Sequence, residues 1–192
     1  MRYILMLVIT STINIISYAQ CTTVANNSNQ PICLAENVKQ FINYFRNTYI
    51  LTNIQVVVLD SIRMNEMKEC TNTIFADTLI SSSDKIDIER HFNNPIIKKW
   101  SDSLINNIHI MKTSEYNEIF KNYDNAWELF YQKYKISNFF AFSAPIFFHN
   151  NTKCIFYYES ICRGLCGFGY TLLFIKENGV WKLANRYCKW ES

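Results

Sequence analysis

Residues 139–190 read FFAFSAPIFFHNNTKCIFYYESICRGLCGFGYTLLFIKENGVWKLANRYCKW, and this stretch predicts an antiparallel β-meander. Four apolar or alternating runs of strand length cover it: 137–148, 153–162, 169–177 and 180–190. The dipeptide Asn178-Gly179 separates the last two runs and favours a type I′ turn, in which both central residues have a positive φ. We therefore expect a sheet to dominate the C-terminal part of the chain.

The predicted turn also sets which residues face each other across the last hairpin. A two-residue turn pairs Glu177 with Val180, and counting outward from this pair places Gly169 opposite Cys188. We therefore expect Cys188 beside the cysteine- and glycine-rich loop 162–169. The glycines of that loop suit a tight, cross-linked turn, because glycine accepts a positive φ.

Cysteines gathered at this end of the sheet predict a disulfide. Cys162 and Cys188 are expected two strands apart, and at ~4.8 Å per strand this distance exceeds the ~7 Å between Cα atoms that a disulfide spans. Cys166 belongs to the loop and reaches Cys188 more easily. We predict the pair Cys166–Cys188, with Cys162–Cys166 as the competing local closure.

Four short motifs stand out in this part of the chain: FSAPIF at 142–147, CRGLCGFG at 162–169, GVWK at 179–182 and CKWES at 188–192. Together they resemble the pattern FSxPxF, CGxLCGxG, GxW and CxWxS of a group of uncharacterised secreted proteins of Bacteroidetes-type bacteria. Arg163 stands where that group usually has glycine. The resemblance implies an envelope-directed protein with a helical front half and a sheet at the back, and it implies no activity.

The first 19 residues have the features of a secretory signal peptide. An apolar core follows a positively charged start, and Ser17 and Ala19 supply small residues at −3 and −1, which predicts cleavage after Ala19. Polar residues interrupt the apolar run well short of the ~20 residues that a membrane-spanning helix needs, so no transmembrane anchor is expected. Lipidation of Cys21 is the alternative, although Gln20 stands where a lipobox has Gly, Ala or Ser.

The composition of the remaining chain predicts one globular domain over residues 20–192, in a secreted or periplasmic protein. It carries 18 basic and 16 acidic side chains, because the leader contains one arginine and no acid. A nearly neutral chain without a basic run disfavours nucleic-acid binding, which relies on clustered lysine and arginine. Aromatic residues make up 16% of the sequence, which is typical of a chain with a packed core.

The front part of the domain, about 34–135, is expected to be mainly helical. Four helices are predicted from helical spacing and capping residues: 34–48, 85–93 after the cap-like cluster 81–84, 115–121 and 126–135. The last helix has an aromatic stripe expected in the core: Trp127, Phe130, Tyr131 and Tyr134. Strands are predicted at 55–59 and, as an edge, at 107–112. We predict an α+β fold whose helices pack on one face of an antiparallel sheet that ends in the meander 137–190.

The chain has seven cysteines, and in an exported protein this number favours disulfides over metal binding or catalysis. The expected map has three pairs: Cys21–Cys33, Cys70–Cys154 and Cys166–Cys188. This map leaves Cys162 as the free thiol.

Three Asp-Ser/Thr-hydrophobic triplets contain the hydroxyl residues Ser61, Thr78 and Ser103. They resemble the O-glycosylation acceptor signal of Bacteroidetes-type periplasmic proteins. The resemblance implies that at least one of the three hydroxyls carries a glycan.

The sequence lacks the motifs of common enzyme classes, such as HExxH, GxSxG and the P-loop. No pair of histidines has the spacing of zinc ligands, so no metal or cofactor is expected. A nucleophilic pair of His149 and Cys154 is conceivable, but an exported chain favours a disulfide or core role for the cysteine. Glu159 and Glu177 are interpreted as exposed charges of the sheet.

The leading functional hypothesis is an exported, non-catalytic domain that binds a protein partner or a ligand in the cell envelope. One alternative is a thiol-dependent enzyme that uses Cys154 or Cys162, which predicts a reactive thiol of lowered pKa. A second alternative is a periplasmic inhibitor or immunity protein.

Overall fold

The computed structural model describes residues 34–50, 55–105 and 107–192. Two predictions, the signal peptide cleaved after Ala19 and the pair Cys21–Cys33, lie outside the described residues. The described part of the chain contains six helices and seven strands. Their order is α1 (Leu34–Tyr49), β1 (Val57–Ile62), α2 (Met64–Glu69), α3 (Thr71–Ala76), α4 (Ser82–Asn93), β2 (His109–Met111), α5 (Thr113–Ile119), α6 (Tyr123–Tyr134), β3 (Asn138–Phe142), β4 (Ile146–Phe148), β5 (Lys153–Cys162), β6 (Phe168–Glu177) and β7 (Val180–Glu191).

All seven strands belong to one mixed sheet, in the order β2-β1-β3-β5-β6-β7, with β4 also paired to β5. β1 is parallel to β2 and β3, and the remaining pairs are antiparallel. The α+β class and the C-terminal run of antiparallel strands are therefore confirmed, and β2 is an edge strand as predicted.

The predicted strand 137–148 is divided into β3 and β4, which lie one after the other along β5. Between them, the amide of Ser143 donates to the carbonyl of Tyr157 at 2.9 Å. The Ser143 hydroxyl accepts from the Tyr157 amide, also at 2.9 Å. Pro145 follows, and because proline has no N–H to donate, the regular ladder is interrupted there.

Helices cover both faces of the sheet, so the prediction that they pack on one face is wrong. α1 packs on one face, where the ring of Phe41 meets the rings of Phe156 and Phe174 at centroid distances of 5.3 and 5.2 Å. The other helices pack on the opposite face, α2 to α4 beside α5 and α6. The physical reason lies in β5, where residues 154–157 are all buried. Because successive side chains point to opposite faces of the sheet, both faces carry apolar side chains that must be shielded from water by helices.

The four predicted helices correspond to α1, α4, α5 and α6, and each begins and ends within a few residues of its predicted position. Ser81 caps α4 through a complete capping box with Asp84, as the cap-like cluster predicted. In α6, Trp127, Phe130 and Tyr134 are buried, but Tyr131 is 52% exposed, so the prediction that it belongs to the core is wrong. No helix in the described part of the chain is long and apolar enough to cross a membrane.

The turn at Asn178-Gly179 has the predicted positive φ at both residues, 50° and 81°. Glu177 pairs with Val180 as expected. The register then shifts twice, because β7 contains one extra residue after Leu183 and another after Tyr187. Gly169 therefore faces Trp190 rather than Cys188, and Cys188 has a positive φ of 46° at the second shift.

The disulfides differ from the predicted map. Cys70 pairs with Cys188, and Cys162 with Cys166, so Cys162 is not free and neither Cys166–Cys188 nor Cys70–Cys154 is formed. Cys188 lies at the second register shift of β7, and its partner Cys70 is the residue between α2 and α3. Cys154 is buried on the α1 face, opposite the face that holds Cys70, so the sheet separates the two sulfurs.

Candidate functional site

A cleft of about 350 Å³ opens beside α2, β5 and β7. Three glutamates, two aromatic residues and a disulfide form its walls: Glu66, Glu69, Glu159, Tyr157, Trp190 and Cys70–Cys188. We name it the Trp190 cleft. It exists only in the folded chain, because its residues lie far apart in the sequence.

Helix α2 brings two of the carboxylates to the cleft. Met64 and Met67 are buried on the sheet, which turns the other side of this short helix toward solvent. Glu66 and Glu69 are three residues apart and therefore lie near each other along the helix. Both remain accessible at the cleft, Glu66 partly and Glu69 largely.

Strand β5 contributes Tyr157 and Glu159, which share one face because alternate residues of a strand point the same way. The Tyr157 hydroxyl donates to Oε2 of Glu159 at 2.8 Å. The indole Nε1–H of Trp190 donates to the same Tyr157 hydroxyl at 2.9 Å. Two consecutive hydrogen bonds therefore connect the aromatic wall to the buried carboxylate and hold all three side chains in place.

Gly169 leaves the space that the Trp190 indole occupies. A Cβ at this position would lie 2.2 Å from Nε1 of Trp190 and 2.8 Å from the Tyr157 hydroxyl. Gly169 pairs with both Glu159 and Trp190 across the sheet. The glycine thus lies between Glu159 and Trp190 in the sheet and lets the indole pack close to the backbone.

The loop 162–169 supports the indole from the other side. The Ser192 amide donates to the Gly167 carbonyl at 3.0 Å, and the Gly167 amide donates to Oγ of Ser192 at 3.1 Å. A Cβ at Gly167 would lie 3.2 Å from the ring of Trp190. The motifs CRGLCGFG and CKWES are therefore joined in space, and together they position Trp190.

Glu159 is the buried charge of the cleft, with 7% of the residue exposed. Burial raises its pKa, and the hydrogen bond from Tyr157 and the charge of Arg63 oppose this shift only in part. Nε of Arg63 lies 3.0 Å from Oε1 of Glu159, in an ion pair that is not aligned as a hydrogen bond. Arg63 also lies 3.8 Å from Glu66, so one guanidinium is shared between two carboxylates.

The disulfide Cys70–Cys188 and helix α3 fix the wall formed by β7. Asp77, the residue after α3, accepts hydrogen bonds from the Tyr187 hydroxyl at 2.5 Å and from Nδ2 of Asn185 at 2.7 Å. The covalent bond and these two contacts join the helical layer to the edge strand. The cleft is therefore bounded by elements that are cross-linked to each other.

The other residues singled out in the sequence lie elsewhere. Cys162 and Cys166 close the loop behind Trp190. Of the hydroxyls in the glycosylation triplets, Ser61 is half-buried in β1, whereas Thr78 and Ser103 are exposed in turns.

The thiols offer no nucleophile among the described residues. Cys154 is completely buried, and burial raises its pKa well above the ordinary range, which is the opposite of an activated thiol. Cys162 is in a disulfide. Within the described ranges, no three His, Cys, Asp or Glu side chains converge closely enough to hold a metal ion.

Sequence reasoning missed the residues that make the cleft. Glu159 was expected to be an exposed charge, and it is buried, whereas Glu177 is exposed as expected. The available signal was the alternation in β5, which places Glu159 on the same face as the apolar Ile155. No signal near Glu66 or Glu69 indicates that α2 lies beside Trp190.

The chain was compared with protein-family models, with curated proteins and with solved structures, and it matches none of them.

Proposed function

We propose that the chain is an exported, non-catalytic binding domain of the cell envelope, and that its ligand or partner binds in the Trp190 cleft. The observation that carries this proposal is the buried Glu159, held by Tyr157 and Arg63 at the base of a cleft with an aromatic wall. Few, well-positioned polar groups beside aromatic surface are typical of ligand sites.

The rigidity of the cleft supports binding. The hydrogen bonds from Trp190 to Tyr157 and from Tyr157 to Glu159 order the lining before a ligand arrives. A site that is ordered in advance loses less conformational entropy on binding, which increases affinity. The disulfide Cys70–Cys188 adds to this order.

Two further features support the exported location. Residues 1–19 have the pattern of a signal peptide, and disulfides persist mainly in oxidising compartments. An inhibitor or immunity protein would share this binding chemistry, with a protein as its ligand. The thiol-dependent alternative receives no support, because Cys154 is buried and Cys162 is disulfide-bonded.

The proposal is tested by NMR on the full chain with ¹⁵N-labelled tryptophan. Trp190→Phe assigns the Trp190 indole signal among those of the 4 tryptophans. We expect at least one class in a panel of cationic, neutral and anionic amino-acid amides and sugars to shift this signal in a saturable titration.

Two variants and two outcomes make this test decisive. Measured by isothermal titration calorimetry with the compound that binds, Trp190→Phe should weaken the binding, whereas Tyr131→Ala, which removes an exposed aromatic ring of α6, should leave it unchanged. A Trp190 signal that responds to no member of the panel would contradict binding in the cleft. Catalytic turnover of a bound compound that one point substitution abolishes would contradict the non-catalytic part.

A further inference from the structure

We infer that the ligand of the Trp190 cleft presents a long organic cation, an alkyl stem ending in an ammonium or guanidinium group, as in a lysine or arginine side chain of a peptide. This inference rests on the proposed function and names the chemical class of the ligand. It follows from the charge, the carboxylate spacing and the aromatic surface of the cleft.

The charge of the lining is negative. Its residues include three glutamates and no lysine or arginine. Arg63, behind the lining, is shared between Glu66 and Glu159. Glu69 makes no ion pair within the part of the chain that the structure describes. Arg63 therefore offsets one of the three negative charges, and the lining keeps a net negative charge that favours a cationic ligand.

The spacing of these carboxylates favours an organic cation over a metal ion. Their side chains do not converge closely enough to coordinate one ion, in the ranges that the structure covers. A guanidinium or ammonium group has several N–H donors that point in different directions, so it can contact carboxylates that are too far apart for one metal.

The aromatic wall suits the rest of such a side chain. Trp190 is 37% exposed, and its ring is fixed over Gly169 by the hydrogen bond to Tyr157. The faces of tryptophan and tyrosine rings attract cations, and lysine and arginine pack their stems on apolar surface while the charged end reaches polar groups. The cleft has this arrangement, with rings and a disulfide on one side and carboxylates on the other.

The experiment compares three probes of similar size by titration of the Trp190 indole signal: Nα-acetyl-lysine amide, the uncharged Nα-acetyl-norleucine amide and the anionic Nα-acetyl-glutamate amide. We expect the lysine amide to bind roughly tenfold more tightly than the norleucine amide, and to lose most of this preference in high salt. We expect no saturable shift with the glutamate amide.

Variants localise the effect. Glu66→Gln/Glu69→Gln should abolish the preference for the lysine amide. The matched double variant Glu118→Gln/Glu128→Gln, which removes two exposed charges from α5 and α6, should retain it.

The outcomes separate this inference from the proposed function. Equal binding of lysine and norleucine amides, or tighter binding of the glutamate amide, would overturn the inference and leave the cleft as a binding site. A lysine preference that survives Glu66→Gln/Glu69→Gln would overturn it too. No response of Trp190 to any probe, or to the wider panel, would overturn both.

Discussion

A methyl group on Gly169 would lie 2.2 Å from Nε1 of Trp190, a distance that real Cβ atoms do not reach. The indole must therefore move if Gly169 acquires a side chain. Movement of the indole would break its hydrogen bond to Tyr157, which in turn holds Glu159. At the scale of single residues, the cleft depends on the absence of one side chain.

We predict that Gly169→Ala lowers the free energy of unfolding by about 1–3 kcal/mol, the usual cost of overpacking. Urea unfolding monitored by tryptophan fluorescence measures the change. In the background of Trp190→Ala the same substitution should cost less than half as much, because the indole that it meets is gone. An equal cost in both backgrounds would contradict the role assigned to Gly169.

Helix α4 shows how an element is held by one buried carboxylate. Asp84 accepts from the Ser81 amide at 3.1 Å and, through its other oxygen, lies 3.2 Å from Nδ1 of His149. Nζ of Lys153 donates to Asp84 at 3.2 Å and to the Leu79 carbonyl at 2.7 Å. The start of α4 is thereby joined to the turn between β4 and β5.

These contacts predict a pH dependence of stability. Burial opposes ionisation of Asp84, but the hydrogen bonds from Ser81, His149 and Lys153 outweigh it and lower its pKa. A carboxyl with a lower pKa in the folded state stabilises the protein above its unfolded pKa of ~3.9, and this contribution is lost as the pH falls through the folded value.

We therefore predict that Asp84→Asn destabilises the protein by about 1–3 kcal/mol at pH ~7 and by clearly less at pH ~3. Urea unfolding at both values of pH measures the difference. Asp124→Asn, which changes an exposed residue in the first turn of α6, serves as the matched control and should show a smaller effect. A penalty for Asp84→Asn that does not depend on pH would contradict the ionised role of this carboxyl.

At the scale of the whole molecule, two disulfides of very different span act on the described part of the fold. Cys70–Cys188 joins residues 118 apart in sequence, and Cys162–Cys166 joins residues 4 apart. The longer closure connects the helical layer to an edge strand, and the shorter one closes a loop. Because a cross-link restricts the unfolded chain more when the loop is longer, their contributions should differ.

We predict that Cys70→Ser/Cys188→Ser lowers the free energy of unfolding by about 5 kcal/mol, and Cys162→Ser/Cys166→Ser by about 2 kcal/mol, on the loop-entropy relation. Urea unfolding of the oxidised proteins provides the comparison. The short-loop variant is the control for the loss of two sulfurs. A larger loss for the Cys162–Cys166 variant would contradict this account.

The sequence by itself determined the elements whose signals lie within a few neighbouring residues. The strand 153–162, the turn at Asn178-Gly179 and the helix predicted at 34–48 depend on spacing, side-chain type and permitted φ, all of which are local. The α+β class follows from their order along the chain.

Only the tertiary structure decided the register beyond Leu183, the partner of Cys188 and the Trp190 cleft. Each depends on residues distant in sequence: the two register shifts of β7 arise against β6, and Cys70 reaches Cys188 because α2 and α3 pack beside β5 and β7. The cleft needs Glu66 and Trp190 to meet. Packing of apolar faces brings them together, and no pattern of neighbouring residues encodes that contact.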